Sequence, residues 1–274
     1  MRIAAGNSED WVNKRLMPFL VMSVITVFAT IYYPLCGLVA TLISIAGLYE
    51  FFYMVEKKGV RLFKVFGLIL GAFIPITISF RLGVQEGLQF FFIMVGLFAL
   101  FVLELTKKDT HQAVLSLSAT VFGVIYISWC FSFIIRIRQL PEGALLTGFL
   151  VLVTKASDVG AYLVGKRFGR TSLIKRISPK KSLEGAMGGF FTSIAVGTLY
   201  SFLVTSIDFM EKFFLIIILA FISQLGDLFE SLLKRDCQVK DSGQLLFGMG
   251  GILDVIDSLI FTAPTFYLYI TLMR

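Results

Sequence analysis

Nine apolar runs, each close to the length needed to cross a bilayer, constrain this chain more than any other feature. They cover approximately residues 16–33, 35–55, 62–80, 88–106, 112–135, 142–165, 186–206, 212–234 and 252–273. About 20 apolar residues in helical conformation span the hydrocarbon core. Of the 274 residues, 57% are hydrophobic and only 16% charged, whereas soluble domains carry roughly 25% charged residues. The expected fold is therefore an all-α polytopic membrane protein of about nine transmembrane helices. The first run is long, lacks a small-residue cleavage site and follows Glu9 and Asp10. It reads as a span rather than a cleaved signal peptide. Pro34 punctuates the turn between the first two runs.

Orientation follows from the bias of Lys and Arg toward cytosolic loops. With the N-terminus in the cytosol, 19 of the 25 Lys and Arg residues fall on the inner side and five on the outer, with Lys155 inside a run. The expected topology is N-terminus cytosolic and C-terminus outside. The weakest joint in it is Arg136 and Arg138, which lie outside. The net charge of +7 reads as cytosolic loops facing anionic headgroups, not as a nucleic-acid surface.

The single histidine, His111, sits beside Lys107, Lys108 and Asp109 and reads as a solvated loop residue. This scarcity excludes His-ligated zinc and argues against His-based triads. Cys36, Cys130 and Cys237 have no CxxC partner and are odd in number, which argues against a disulfide framework.

Most runs carry no internal charge, so the exceptions inform. Lys155 with Asp158, Asp227 with Glu230, and Asp254 with Asp257 are each spaced i, i+3, placing both members on one helix face. An unpaired charge at the bilayer centre costs about 2.5–3.5 kcal/mol on insertion scales. These groups must face a partner, a polar cavity or a cation. In the expected topology all three pairs lie at similar depth near the cytosolic face. Asp227, Glu230, Asp254 and Asp257, with Asp158, offer oxygen ligands for a hard cation, and Mg²⁺ suits that chemistry. Structural readings compete: Lys155 can pair with Asp158, Glu230 with Lys234, and Glu50 can sit at the interface.

Two basic loops adjoin these charges. The first holds Lys166, Arg167 and Arg170, then Ser178-Pro-Lys-Lys-Ser-Leu-Glu-Gly185; the second holds Lys234-Arg-Asp-Cys-Gln-Val-Lys-Asp-Ser-Gly243 and Phe247-Gly-Met-Gly-Gly251. Cations and glycine-flanked amides suit phosphate oxygens, and glycine lets backbone approach a ligand closely. Topology signal and headgroup attraction alone could also explain the cations of the first loop. Neither a Walker A nor a GxGxxG sequence is present.

These residues resemble the signature of the phosphatidate cytidylyltransferases, also called CDP-diacylglycerol synthases. Ser231, Lys234, Arg235, Lys240, Asp241, Gly243, Gly248, Gly250, Gly251, Asp254 and Asp257 match it at the right spacing. So do Asp158, Tyr162, Gly165, Phe168, Gly169, Ser178, Pro179, Lys180, Glu184 and Gly185 upstream. Phe247, Met249 and Val255 stand where the signature has Pro, His and Arg, so no role for that His or Arg carries over. The likeness is specific to the C-terminal half. It divides the chain into N-terminal membrane helices over 1–140 and a catalytic membrane region over 141–274.

The resemblance implies transfer of a cytidylyl group from CTP to phosphatidic acid, giving CDP-diacylglycerol and pyrophosphate. Together with the physical reading of the intramembrane carboxylates, it points to Asp227, Asp254 and Asp257 as Mg²⁺ ligands with Asp241 as a further candidate, and leaves a second cation open. Lys180, Lys181, Lys234, Arg235 and Lys240 would hold phosphates beside Ser178, Gly248, Gly250 and Gly251. Asp158 and Glu184 would orient those cations. Asp227, Asp254, Asp257, Lys234 and Arg235 form the catalytic set. The implied setting is the bilayer of a bacterial-type inner membrane, with the site facing the cytosol, a homodimeric assembly and no nucleic-acid partner. Two rival readings stand: a CTP-dependent enzyme for another lipid or isoprenoid phosphate, and an ion-coupled transporter. A transporter favours charges at the midplane in two related halves. Here they cluster in the C-terminal half, toward one face.

Overall fold

The computed structural model describes residues 21, 24–80, 86–107, 111–243 and 250–272. Eight helices account for nearly all of it: α1 Tyr33–Lys57, α2 Lys64–Ser79, α3 Glu86–Leu105, α4 Ala113–Gln139, α5 Gly143–Phe168, α6 Leu183–Ser201, α7 Phe209–Asp236 and α8 Leu253–Leu272. Each coincides with one expected run from the second to the ninth. Of the first run, 16–33, residues 16–20, 22 and 23 lie outside the described residues, and 24–31 are helical. Pro34 stands in the first turn of α1, where its missing N–H and fixed φ are tolerated.

Among the described residues, five helices are long and apolar enough to cross a membrane: α1, α4, α5, α7 and α8. Residues 64–79 and 91–105 form shorter apolar helices. Helix α6 is not among the five. Gly185, Gly188, Gly189 and Gly197, with its Ser and Thr residues, dilute its hydropathy. Those small residues serve packing instead. Helices α5 and α6 make the most extensive pairing in the chain. A Cβ added at Gly160 would meet Thr192 Oγ1 at 2.5 Å, and one at Gly189 would meet the Ser157 carbonyl at 2.5 Å. Small residues at such positions let membrane helices approach closely.

One departure from the all-helical expectation is a short antiparallel hairpin, β1 Ser172–Ile174 with β2 Ser178–Ser182, inside the first basic loop. Ser182 then caps α6 by accepting from the Gly185 amide at 3.1 Å. A second departure is the π-helical stretch Val124–Trp129 within α4.

The core runs through the middle of the helical assembly, with Phe52, Phe149, Leu215, Ile216 and Phe266 wholly buried. Many large apolar side chains, including Phe98, Leu105, Leu199 and Met210, point outward. In water such a surface would be unfavourable; against acyl chains it is the expected one. The chain is an all-α integral membrane protein with one small hairpin.

At the end opposite the basic loops, Glu142 adopts a left-handed conformation. It accepts from the amides of Thr205 and Ser206 at 3.0 and 3.1 Å, and from the Thr205 hydroxyl. These bonds, the Thr205 hydroxyl foremost, pull its carboxyl down to about 2. Nearby, Lys212 donates to the carbonyls of Ser201 and Val204 and so closes the C-terminus of α6.

Candidate active site

The charges of α5, α7 and α8 meet at one end of the protein, beside the hairpin. Asp227, Glu230 and Asp257 each offer a carboxylate oxygen, and these three atoms lie within 4.8 Å of one another. Glu230 and Asp257 are buried and Asp227 is half-buried. Three lysines surround the cluster. Lys181 on β2 reaches Asp227 at 2.5 Å. Lys234 pairs with Glu230 one turn back and with Asp254 at 2.5 Å. Lys155 pairs with Asp158 at 2.8 Å and donates to the Val255 carbonyl at 2.8 Å and the Ser258 hydroxyl at 3.3 Å. Five acidic groups against three ammonium groups leave a deficit of two basic partners.

A divalent cation matches that deficit, and the donor set fits one. All three clustered groups are hard oxygen donors, as Mg²⁺ prefers. Both Glu230 oxygens are buried without a hydrogen bond of regular geometry, although Lys234 faces one of them as an ion pair. Buried polar atoms are normally satisfied, so these oxygens are the ones a cation would take.

Asp254 occupies a different niche from the one expected of it. Its Oδ1 takes Lys234, and its Oδ2 accepts from the Gly251 amide at 2.8 Å, the Ser242 amide at 3.2 Å and the Ser242 hydroxyl at 3.0 Å. Among the described residues the cluster is completed by Glu230 rather than Asp254, and Asp241 is exposed and outside it. The spacing i, i+3 put Asp254 and Asp257 on one face, but Lys234 and the preceding turn draw Asp254 toward the helix N-terminus.

The remaining expected residues divide by exposure. Lys180, Arg235 and Lys240 are exposed, and Ser178 is half-buried on β2. Arg235 donates to the Ile177 carbonyl at 3.1 Å, tying the end of α7 to the hairpin. Glu184 accepts from the amides of Arg170 and Thr171 at 3.0–3.2 Å, the first chiefly holding its carboxyl down to about 2. It therefore organises the start of α6 and the loop before it. Gly248 lies outside the described residues, as do Phe247 and Met249. Gly250 has φ +98, and a Cβ there would meet Asp254 Oδ2 at 2.7 Å.

Sequence reasoning singled out Glu50 with an interfacial position as its structural reading, and did not foresee its contact with the start of α8. It is 3% exposed, and it accepts from the amides of Ile252 and Leu253 and from the Ser242 hydroxyl. Its signal was an acidic residue inside an apolar run with no cation near it in sequence. The partners are backbone donors some 200 residues away, which no local pattern displays.

Chemically, the arrangement is a rim of ammonium groups around a carboxylate pocket. It can hold a cation and gather phosphate oxygens beside a lipid surface. Comparisons with known proteins point the same way. The sequence model of the cytidylyltransferase family matches residues 13–273. A Thermotoga maritima protein named phosphatidate cytidylyltransferase is 34% identical over 265 residues, covering 94% of this chain and 93% of that protein. A Synechocystis protein of the same name is 32% identical over 260 residues, covering 85% of this chain and 87% of that protein. The uncharacterized protein YnbB of Escherichia coli K12 is 39% identical over 151 residues, 55% of this chain and 50% of that protein. With the family match extending over nearly its whole length, the chain belongs to the cytidylyltransferase family.

Proposed function

We propose that this protein transfers the cytidylyl group of CTP to phosphatidic acid, releasing pyrophosphate and leaving CDP-diacylglycerol in the membrane. The observation that carries the reading is the meeting of the Asp227–Glu230–Asp257 cluster with Lys155, Lys181 and Lys234 at one end of the helices. The names of the Thermotoga and Synechocystis relatives support the same reaction.

In this reaction an anionic oxygen of the lipid phosphate attacks the α-phosphorus of CTP. The bond from that phosphorus to the bridging oxygen breaks, and pyrophosphate leaves with the electron pair. The nucleophile is already ionised near neutral pH, so no imidazole base is required, in keeping with a single His. The difficulty is bringing the anionic lipid phosphate up to the anionic triphosphate of CTP. Lys181 and Lys234 stand where they can exchange part of their carboxylate pairing for phosphate oxygens. Exposed Lys180, Arg235 and Lys240 extend the basic rim. Lys155 holds Asp158 and the Ser258 hydroxyl beside Asp257, fixing the buried side of the pocket. Asp227, Glu230 and Asp257 would hold Mg²⁺. When bound, it supplies charge neutralisation and alignment for phosphoryl-type transfer. Asp254 serves as the partner that positions Lys234.

Nine spans, a cytosolic N-terminus and a site opening on the cytosolic side of a bacterial-type inner membrane complete the reading. The basic loops that flank the site support that orientation through the Lys and Arg bias. The lipid phosphate then arrives along the headgroup plane and CTP from the cytosol. The test is purified protein in detergent with phosphatidic acid and CTP labelled in the cytidine, with and without Mg²⁺. Label in the lipid phase that requires the metal is the expected result. Label appearing only when another lipid phosphate replaces phosphatidic acid would overturn the substrate assignment.

A further inference from the structure

Glu50 lies near the inner end of α1, far in sequence from every residue of the pocket. Its carboxylate is buried and receives three hydrogen bonds. Oε1 accepts from the Ile252 amide at 3.1 Å; Oε2 accepts from the Leu253 amide at 2.9 Å and the Ser242 hydroxyl at 3.1 Å. These two amides begin α8 and have no partner within that helix. A carboxylate there satisfies them and opposes the positive end of the helix dipole.

The surrounding backbone is shaped to admit it. A Cβ at Gly251 would overlap Glu50 Oε2 and the Ser242 hydroxyl, and one at Gly243 would overlap Glu50 Oε1. Two glycines of the second basic loop are thus explained by the approach of a side chain from α1, not by the approach of a phosphate.

From Glu50 a continuous polar chain leads to the pocket. The Ser242 hydroxyl lies within hydrogen-bond reach of both Glu50 and Asp254, Asp254 takes Lys234, and Lys234 faces Glu230. In addition, Asp257 follows Leu253 by one helical turn. The rotation and height of the first turn of α8 therefore set where the Asp257 carboxylate stands relative to Asp227 and Glu230.

We propose that Glu50 is a positioning residue for the cation pocket: it fixes the N-terminus of α8 and, through it, Asp254 and Asp257. This inference rests on the cation reading given above. It makes the N-terminal half a working part of the site, since residues 141–274 alone lack the group that seats α8.

Glu50→Gln isolates the role. Each carboxylate oxygen accepts from a backbone amide, so either orientation of a Gln amide sets an NH₂ against an N–H donor. Glu50→Asp keeps the charge and both acceptors but falls one carbon short, and it carries the test if the Gln variant does not fold. The probe is Mn²⁺ alone, titrated into full-length protein in detergent and followed through the magnetic resonance signal of free Mn²⁺, with thermal unfolding measured alongside. The expected result is a 10–100-fold weaker Mn²⁺ Kd in the variant, the usual consequence of removing a group that orients a metal ligand, while the protein remains folded. Wild-type Mn²⁺ affinity in a folded Glu50 variant would reduce Glu50 to a helix cap and overturn the inference. If the wild-type protein binds no Mn²⁺, the cation reading falls and this inference falls with it.

Discussion

Replacing Lys234 with Met tests the electrostatics of the pocket without altering its apolar packing much. The Lys234 side chain is 13% exposed and stands between Glu230, wholly buried, and Asp254, 15% exposed. Removing the ammonium changes the balance from three cations against five carboxylates to two against five. Asp254 keeps its donors from Ser242 and Gly251, but Glu230 keeps no hydrogen bond of regular geometry. Stripping one partner from a buried ion pair costs about 3–5 kcal/mol, because the other charge is left uncompensated. At roughly 2–4 °C per kcal/mol for a chain of this size, the melting temperature should drop by about 6–20 °C. Unfolding can be followed with a thiol-reactive fluorophore, since Cys36 and Cys237 are buried free thiols. Mg²⁺ should recover part of the loss, and more of it than it adds to the wild type, because three negative charges now await compensation. A drop of less than about 2 °C would refute the view that Lys234 neutralises the buried Glu230 and the half-buried Asp254.

Other outcomes follow from the same geometry. Asp257→Asn should abolish turnover, a loss of at least about 100-fold for charge stabilisation of this kind, and should also weaken Mn²⁺ binding. Asp254→Asn should lose turnover while keeping more of that binding, because Asp254 holds Lys234 rather than the cation. Radiometric turnover and Mn²⁺ titration on the two variants together check the distinction. The carboxyl of Glu142 sits at about 2 in the folded protein, below the ordinary value near 4.3. The stability it contributes is therefore present above that ordinary value and lost as pH falls toward 2. Melting curves between pH 6 and pH 3 should show the wild type losing more stability on acidification than Glu142→Gln. Gly189→Leu would drive a side chain into the Ser157 carbonyl across the α5–α6 contact, and size-exclusion profiles in detergent should show loss of folded protein.

Much of the architecture was legible because membrane helices announce themselves by length and apolarity. Eight of the nine expected runs coincide with described helices to within a few residues. The pairing of Lys155 with Asp158, and of Glu230 with Lys234, was legible for a similar reason: helical spacing of three or four residues brings side chains together. The hairpin of residues 172–182 was not. Its strands are only three and five residues long and lie in a stretch whose charges read as a phosphate-binding loop or as topology signal, neither of which calls for a strand. The different surroundings of Asp254 and Asp257 were hidden as well. Their spacing gives a common helix face, but which oxygen of Asp254 meets Lys234 depends on the donors that Ser242 and Gly251 bring to the other one. Glu50 lay furthest from view, because its role depends on the packing of α1 against the start of α8. Glycines in the second loop carried a double message: they suggested room for a ligand, and at Gly243 and Gly251 the room is filled by Glu50.

The central claim is that the cytidylyl group, and not a terminal phosphoryl group, moves to the lipid. Two parallel reactions of the purified protein with phosphatidic acid and Mg²⁺ test it most directly, one with CTP carrying ³²P at the α-position and one with ³²P at the γ-position. Cytidylyl transfer places α-label in the extracted lipid and γ-label in pyrophosphate in the aqueous phase. Label from the γ-position in the lipid would mean a kinase reaction, and label in neither lipid fraction, with phosphatidic acid accessible, would contradict cytidylyl transfer to this acceptor.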